Sequence, residues 1–114
     1  MNDDRVYLLH VRDAIDDIAA FTRDGEVAFK ADRKTQQAVI RSLEIIGEAA
    51  KRVSPTTRAK SADIPWRAIA GMRDRLIHDY FGVDLTIVWN VVQRELAPLR
   101  ARIETLLAEN STEP

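Results

Sequence analysis

Apolar residues recur three and four positions apart along most of this chain, and this spacing is what most restricts its fold. Residues at such spacing share one face of an α-helix, whereas a half-buried strand needs alternation of apolar and polar residues. No segment shows convincing alternation. The clearest stripe comprises Val88, Val92, Leu96, Leu99, Ile103 and Leu106. The pattern predicts an all-α fold, a compact antiparallel helical bundle.

The same spacing predicts four main helices, at about residues 4–22, 31–53, 65–81 and 84–109, with a short helical turn within residues 55–63. Gly82 is expected to cap the third helix, Asp84 to cap the start of the last one, and Pro98 to kink that last helix. With 114 residues, the chain fits one domain whose core covers about residues 4–109, followed by a frayed tail.

The bulk composition argues against several classes of function. The formal net charge is -1, so any binding of nucleic acid must depend on a local cluster of charge, and not on a broadly basic surface. The absence of cysteine excludes disulfides and thiolate metal sites. The N-terminus shows no apolar signal segment, and no stretch approaches the roughly 20 apolar residues that cross a bilayer. We therefore expect a cytoplasmic protein without a membrane partner.

The run of residues 73–80, Arg-Asp-Arg-Leu-Ile-His-Asp-Tyr, is the strongest candidate for a functional site. The chain has only two histidines, and histidine, with an ordinary pKa of about 6.5, can both give and take protons near neutral pH. A neighbouring cation can hold a phosphate while the imidazole moves protons. The run therefore favours phosphodiester chemistry. The other histidine, His10, has no comparable neighbours in the sequence and is interpreted as incidental.

On a helical wheel, Arg73 falls near the middle of the apolar face of the third predicted helix, with Arg75 and His78 on the opposite side. Two interpretations of Arg73 stay open. It is either a structural residue, paired with an acid of another helix or reaching water along its stem, or a residue kept for an anionic ligand in a cleft or at a subunit interface.

His78 has two interpretations as well. Asp74 lies one helical turn before it and could orient its ring, or His78 is a surface histidine that gains from the helix dipole. Arg73 and His78 lie about 140° apart on an ideal helix, so they cannot easily reach one phosphate. Either the helix loosens near His78, or two copies of the segment meet across a two-fold axis.

The spacing of Arg73, His78 and Tyr80 resembles the signature of the HEPN superfamily of helical nucleotide-binding and ribonuclease domains. More closely, the chain resembles the HepT toxins, the partners of MntA-type minimal nucleotidyltransferase antitoxins. The resemblance extends over roughly residues 5–108 and includes landmarks at residues 38–40, 45–50, 64–66, 71–73 and 78–84.

This resemblance implies a metal-independent endoribonuclease that needs no cofactor and acts as a homodimer, with the motifs of both subunits lining the cleft. Arg73 would hold the scissile phosphate, and His78 would move protons, with Asp74 and Arg75 as supporting residues. Tyr80 would accept AMP from the antitoxin, which would block RNA. The dimer would also assemble further with that antitoxin.

One departure from the family pattern is Asp74, which stands where relatives often carry asparagine and adds a negative charge near the RNA phosphate. A second class of function therefore stays open, a non-catalytic nucleotide-binding or docking subunit of a nucleotidyltransferase complex. A helical metal enzyme is a weaker alternative, since the chain has two histidines and no Glu-x-x-His pair.

Overall fold

A computed structural model describes residues 4–79 and 82–111, with the side chains of residues 77–79 and 110–111 outside the description. Its elements are α1 (Asp4–Phe21), α2 (Gly25–Ala31), α3 (Arg33–Arg52), α4 (Pro55–Lys60), α5 (Trp66–Ala70), α6 (Met72–Leu76), β1 (Ile77–Asp79), β2 (Gly82–Val83), α7 (Leu85–Arg94) and α8 (Leu96–Ser111). The all-α prediction is confirmed, with one short antiparallel ribbon of β1 and β2.

The core lies where α1 packs between α3 and α8, and the apolar stripes predicted from spacing fill it. Ion pairs between α1 and α8 flank this core, with Arg100 Nε 2.6 Å from the carboxylate of Asp16 and Arg12 Nη1 3.5 Å from that of Glu104. Among the described residues, no helix is both long and apolar enough to span a membrane. The fully buried side chains include Leu8, Ile18, Val39, Leu43, Ile46, Val88 and Ile103.

Asp4 ties the start of α1 to the start of α4. Its carboxylate is buried and accepts hydrogen bonds from the Ser54 backbone N–H at 2.9 Å and from the Ser54 and Thr57 hydroxyls at 2.5 Å. Burial alone would raise the pKa of Asp4, but these hydrogen bonds outweigh it and lower the pKa. Ser54 itself caps α4, so one polar cluster holds both helix ends.

Gly47 allows α3 and α5 to approach each other closely. A Cβ atom at this position would lie 3.1 Å from the carbonyl oxygen of Ile69 and 3.4 Å from that of Ala70. Both oxygens belong to the α5 backbone, which cannot move aside as a flexible side chain would. The absence of a side chain at Gly47 therefore sets the distance between α3 and the segment that carries the motif.

The single helix predicted over residues 65–81 is wrong in two places. Gly71 separates α5 from α6, and α6 ends at Leu76. The Leu76 carbonyl accepts a hydrogen bond from the backbone N–H of Asp84 at 3.4 Å, a bond between segments that sequence spacing does not reveal. Gly82 is not a helix cap. It begins β2 with φ +122°, a conformation that favours glycine.

The last predicted helix is also divided, whereas the sequence predicted one continuous helix with a kink at Pro98. The break between α7 and α8 falls at Glu95, and Pro98 lies in the first turn of α8, where its missing N–H costs little. The cap at Asp84 is confirmed, since its carboxylate accepts from the backbone N–H groups of Thr86 and Ile87 at 2.9 and 3.2 Å.

The segment between the first two predicted helices forms a further helix, α2, which the sequence pattern did not predict. The following helix, α3, begins at Arg33 because the carboxylate of Asp32 caps it by accepting from the Lys34 backbone N–H. The short turn predicted within residues 55–63 corresponds to α4.

Candidate active site

The motif crosses from α6 into β1, so its residues do not share one helix. Arg73, Asp74 and Arg75 lie on α6, whereas the backbone of His78 lies in β1. The helix therefore does end before His78, one of the two options that the wheel left open. The expected helical turn from Asp74 to His78 is wrong, because α6 ends between them. The His78 side chain and Tyr80 lie outside the described residues.

Arg73 does not lie in the middle of a buried face, and that prediction is corrected. Its side chain is 71% exposed. The interruption at Gly71 lets α6 bury the side that carries Met72 and Leu76, which leaves Arg73 outside the core. Both interpretations of Arg73 stay open, because its side chain lies 3.7 Å from the carboxylate of Glu44 on another helix and is also exposed to an anionic ligand.

Arg73 lies on one wall of a groove of about 590 Å³ between α3 and the α5–α6 segment. We call this the motif groove. Gly47, Ala70 and Gly71 contribute small residues to its lining, and Asp74 lines it beside Arg73. The facing helix, α3, contributes Arg41, Glu44, Glu48 and Lys51.

Glu44 connects the two walls of the motif groove. Its Oε2 atom lies 3.7 Å from Nε of Arg73, and its Oε1 atom lies 3.7 Å from Nη1 of Arg41. The carboxylate is 29% exposed, whereas the two arginine side chains are 71% and 70% exposed. At this length the contacts are loose ion pairs without hydrogen bonds, so both guanidinium groups can still bind an anion.

Arg75 has different surroundings, although it lies only two residues from Arg73. Its Nη1 and Nη2 atoms donate to the two carboxylate oxygens of Glu95 at 2.9 and 2.8 Å. This two-bond contact raises the pKa of Arg75 and lowers that of Glu95. It ties α6 to the junction of α7 and α8. The structure therefore gives Arg75 a structural partner. Among the predicted site residues whose side chains it describes, Arg73 and Asp74 line the motif groove and Arg75 does not.

The charges in the motif groove are balanced, because the described lining residues supply three cations and three carboxylates. The residues from α3 were not identified as site residues from the sequence. Their only signal was a polar stripe on the helix face opposite the core, which is also typical of an ordinary solvated surface. Among the described residues, no group of three or more histidine, cysteine or acidic side chains is arranged to hold a metal ion.

Comparison with known proteins finds a ribonuclease family and several relatives with ribonuclease names. The family model of Ribonuclease HepT-like proteins matches residues 11–106. A Thermococcus cleftensis protein named "Probable ribonuclease HepT" is 46% identical over 103 residues, which cover 88% of this chain and 92% of that protein. A Methanocaldococcus jannaschii protein named "Putative RNase" is 38% identical over 108 residues, covering 94% of this chain and 93% of its own length.

A second Methanocaldococcus jannaschii protein, named "Gamma-glutamylcyclotransferase and putative RNase", is 42% identical over 108 residues, which cover 94% of this chain but 49% of that protein. No solved structure gives a significant match. The family model covers most of the all-α fold and the whole motif groove. The chain therefore belongs to the HepT-like ribonuclease family of the HEPN superfamily.

Proposed function

We propose that this protein is the toxin of a toxin–antitoxin pair and cleaves RNA without a metal ion. The observation that carries the proposal is the position of Arg73, an exposed cation on the wall of a groove, a few residues before His78. The family membership supports ribonuclease activity. The toxin role, the metal independence and the regulation described below are parts of the proposal.

In the proposed reaction the ribose 2′-hydroxyl attacks the adjacent phosphorus, and the bond from phosphorus to the 5′ oxygen breaks. The products are a 2′,3′-cyclic phosphate and a 5′-hydroxyl end. His78 takes the proton from the 2′-hydroxyl, and the leaving oxygen receives a proton in return. Arg73 binds the phosphate oxygens and stabilises the negative charge that develops on them.

We further propose that two copies of the chain form the complete site. A single histidine cannot act as base and acid in the same step, whereas two motifs across a two-fold axis supply one of each. A second motif also doubles the arginines at the groove. This matters because the single chain has a net charge of -1 and a motif groove with balanced charges.

A first test is cleavage of a 5′-labelled single-stranded RNA in excess EDTA. We expect cyclic phosphate ends, and a loss of rate of about 10²-fold or more in His78→Ala, with an unchanged unfolding temperature. Phe21→Ala serves as a control, because Phe21 is exposed on α1 and does not line the motif groove. Cleavage that stops in EDTA, or equal rates in His78→Ala, would contradict the proposal.

We propose that the antitoxin, a minimal nucleotidyltransferase, silences the enzyme by adding AMP to Tyr80. The tyrosine oxygen would attack the α-phosphate of ATP and release pyrophosphate. The new negative charge, two residues after His78, would then occupy Arg73 and repel RNA. We also propose that toxin and antitoxin associate in one complex.

This regulation is tested by intact mass after co-expression with an MntA-type minimal nucleotidyltransferase. An AMP-sized addition should disappear in Tyr80→Phe and persist in Tyr7→Phe, because the chain has only these two tyrosines. An addition that persists in both variants would place the modification elsewhere.

The balanced charge of the motif groove and the carboxylate of Asp74 favour one second candidate, a docking subunit that binds a nucleotide or the nucleotidyltransferase without cutting RNA. It predicts partner binding with no RNA turnover at any protein concentration. The EDTA cleavage assay distinguishes the two.

A further inference from the structure

A second groove lies on the other side of Arg41, between α1 and α3, with a volume of about 260 Å³. We call it the α1 groove. Tyr7 and His10 line it from α1, and Arg52 lines it from α3. Arg41 and Glu48 line both this groove and the motif groove. The two grooves are therefore neighbours on one surface, joined across α3.

The α1 groove contains an aromatic pair. The rings of Tyr7 and His10 meet edge to face, with centroids 6.2 Å apart and an interplanar angle of 80°. The ring of Tyr7 packs partly against the core, and His10 is exposed. Tyr7 therefore supports a second ring that is open to solvent.

The residues around these rings are of the types that other proteins use to bind single-stranded nucleic acid. Proteins hold unpaired bases by stacking them on aromatic or guanidinium planes, while cations contact the backbone between the bases. Arg41 and Arg52 supply guanidinium groups here, and Ile45 and Ala49 supply apolar surface to the lining of the groove. The volume is below the roughly 300–1,000 Å³ of pockets for drug-sized ligands, which suits one flat ring system better than a large ligand.

The charge distribution also favours a strand that runs between the two grooves. Across both grooves together, four cations accompany three carboxylates among the described lining residues, although the whole chain has a net charge of -1. Arg41 is 70% exposed and lies at the boundary between the two grooves. A phosphate bound there would be flanked by Arg73 on one side and the aromatic pair on the other.

We propose that Tyr7, His10 and Arg52 form a subsite for one unpaired nucleobase of the RNA substrate, and that Arg41 contacts the phosphate between this base and the cleavage site. The inference rests on the proposed ribonuclease function. The subsite adds a requirement to that function. The stretch of RNA that passes over α3, from the cleavage site to the α1 groove, must be single-stranded, since a paired base cannot enter the α1 groove.

The test is RNA binding in a His78→Ala background, measured by fluorescence anisotropy with a labelled single-stranded oligonucleotide. His10→Ala should weaken binding by about fivefold or more, which is the lower end of the effect of losing one stacked base. Phe21→Ala is the matched control. Phe21 is a partly exposed aromatic residue on the same helix, 44% exposed, and lines neither groove.

A series of oligonucleotides, each with one abasic position, identifies the base. One position should weaken binding to the His10-intact protein by about the same factor, and that loss should vanish when His10 is alanine. The subsite would be overturned if the losses of affinity from the abasic position and from His10→Ala simply add, or if His10→Ala binds RNA as well as the protein with His10 intact. RNA cleavage by the wild-type protein would continue in both cases, so the proposed function would stand.

Two other results of these experiments would also rule out the subsite, each for a different reason. If His10→Ala changes only self-association or antitoxin binding, measured by sedimentation, the α1 groove is a protein interface and the subsite is wrong. If the wild-type protein neither binds nor cleaves RNA, the proposed function fails, and the subsite fails with it.

Discussion

Arg73 and Arg75 lie two residues apart on one short helix, yet they face different parts of the molecule. Arg75 donates two hydrogen bonds of 2.8–2.9 Å to Glu95, and its side chain is 37% exposed. Arg73 is 71% exposed and has a loose 3.7 Å contact with Glu44. The comparison shows that a pattern rich in arginine does not by itself identify which arginine is open to a ligand. The residue available for a ligand is the one whose donors the fold leaves open.

The largest effect should come from Arg73→Ala. We expect RNA cleavage to fall by about 10²–10³-fold, because a donor aimed at developing charge is lost. The unfolding temperature should stay within about a degree, since the side chain is exposed and loosely paired. Single-turnover rates and thermal unfolding measure the two effects, and Arg73→Lys should recover part of the rate. Full activity in Arg73→Ala would remove the distinction between the two arginines.

Arg75→Ala should lower the stability of the protein and leave RNA cleavage almost unchanged, the opposite of Arg73→Ala. The free energy of unfolding should fall by about 0.5–1 kcal/mol, the range for a well-formed but partly exposed ion pair, while cleavage changes by less than about threefold. Urea unfolding of Arg75→Ala, Glu95→Ala and the double variant isolates the pair term. A large loss of cleavage in a stably folded Arg75→Ala would return this residue to the site.

Glu44→Gln sharpens the comparison by removing the carboxylate that lies 3.7 Å from Arg73. We expect single-stranded RNA to bind about two- to fivefold more tightly at low salt, because a negative charge beside the phosphate is lost. Glu26→Gln is the matched control, since Glu26 pairs with Lys30 on α2 and lines neither groove. Equal gains in both variants would indicate a general effect of net charge.

The smallest effect concerns pH. Pairing with Arg75 lowers the pKa of Glu95 in the folded state, so the pair stabilises the protein fully above the ordinary glutamate value of 4.5. This contribution is lost as pH falls from there through the lowered pKa. The stability difference between wild type and Arg75→Ala should therefore shrink on acidification. A difference that stays constant down to pH 3 would contradict this account.

The parts of the fold that depend on local sequence were predictable, and those that depend on contacts between segments were not. The cap at Asp84 follows from a side chain and backbone groups two and three residues away. The end of α6 at Leu76 depends on a hydrogen bond from Asp84 in a later segment. The wheel placed Arg73 on the wrong side because it assumed one continuous helix across the break at Gly71. The family resemblance identified the motif, but only the packing of α3 reveals Glu44 and Arg41 beside it.

Gly47 has no functional group, yet it controls the geometry of the site. It is the point where α3 approaches the backbone of α5, and α5 continues through Gly71 into the helix that carries Arg73. One added methyl group would push apart the two walls between which Glu44 and Arg73 meet. In a mutational scan scored by activity, Gly47 would be grouped with the residues that act on the RNA. Its contribution is only to set the spacing between α3 and α5.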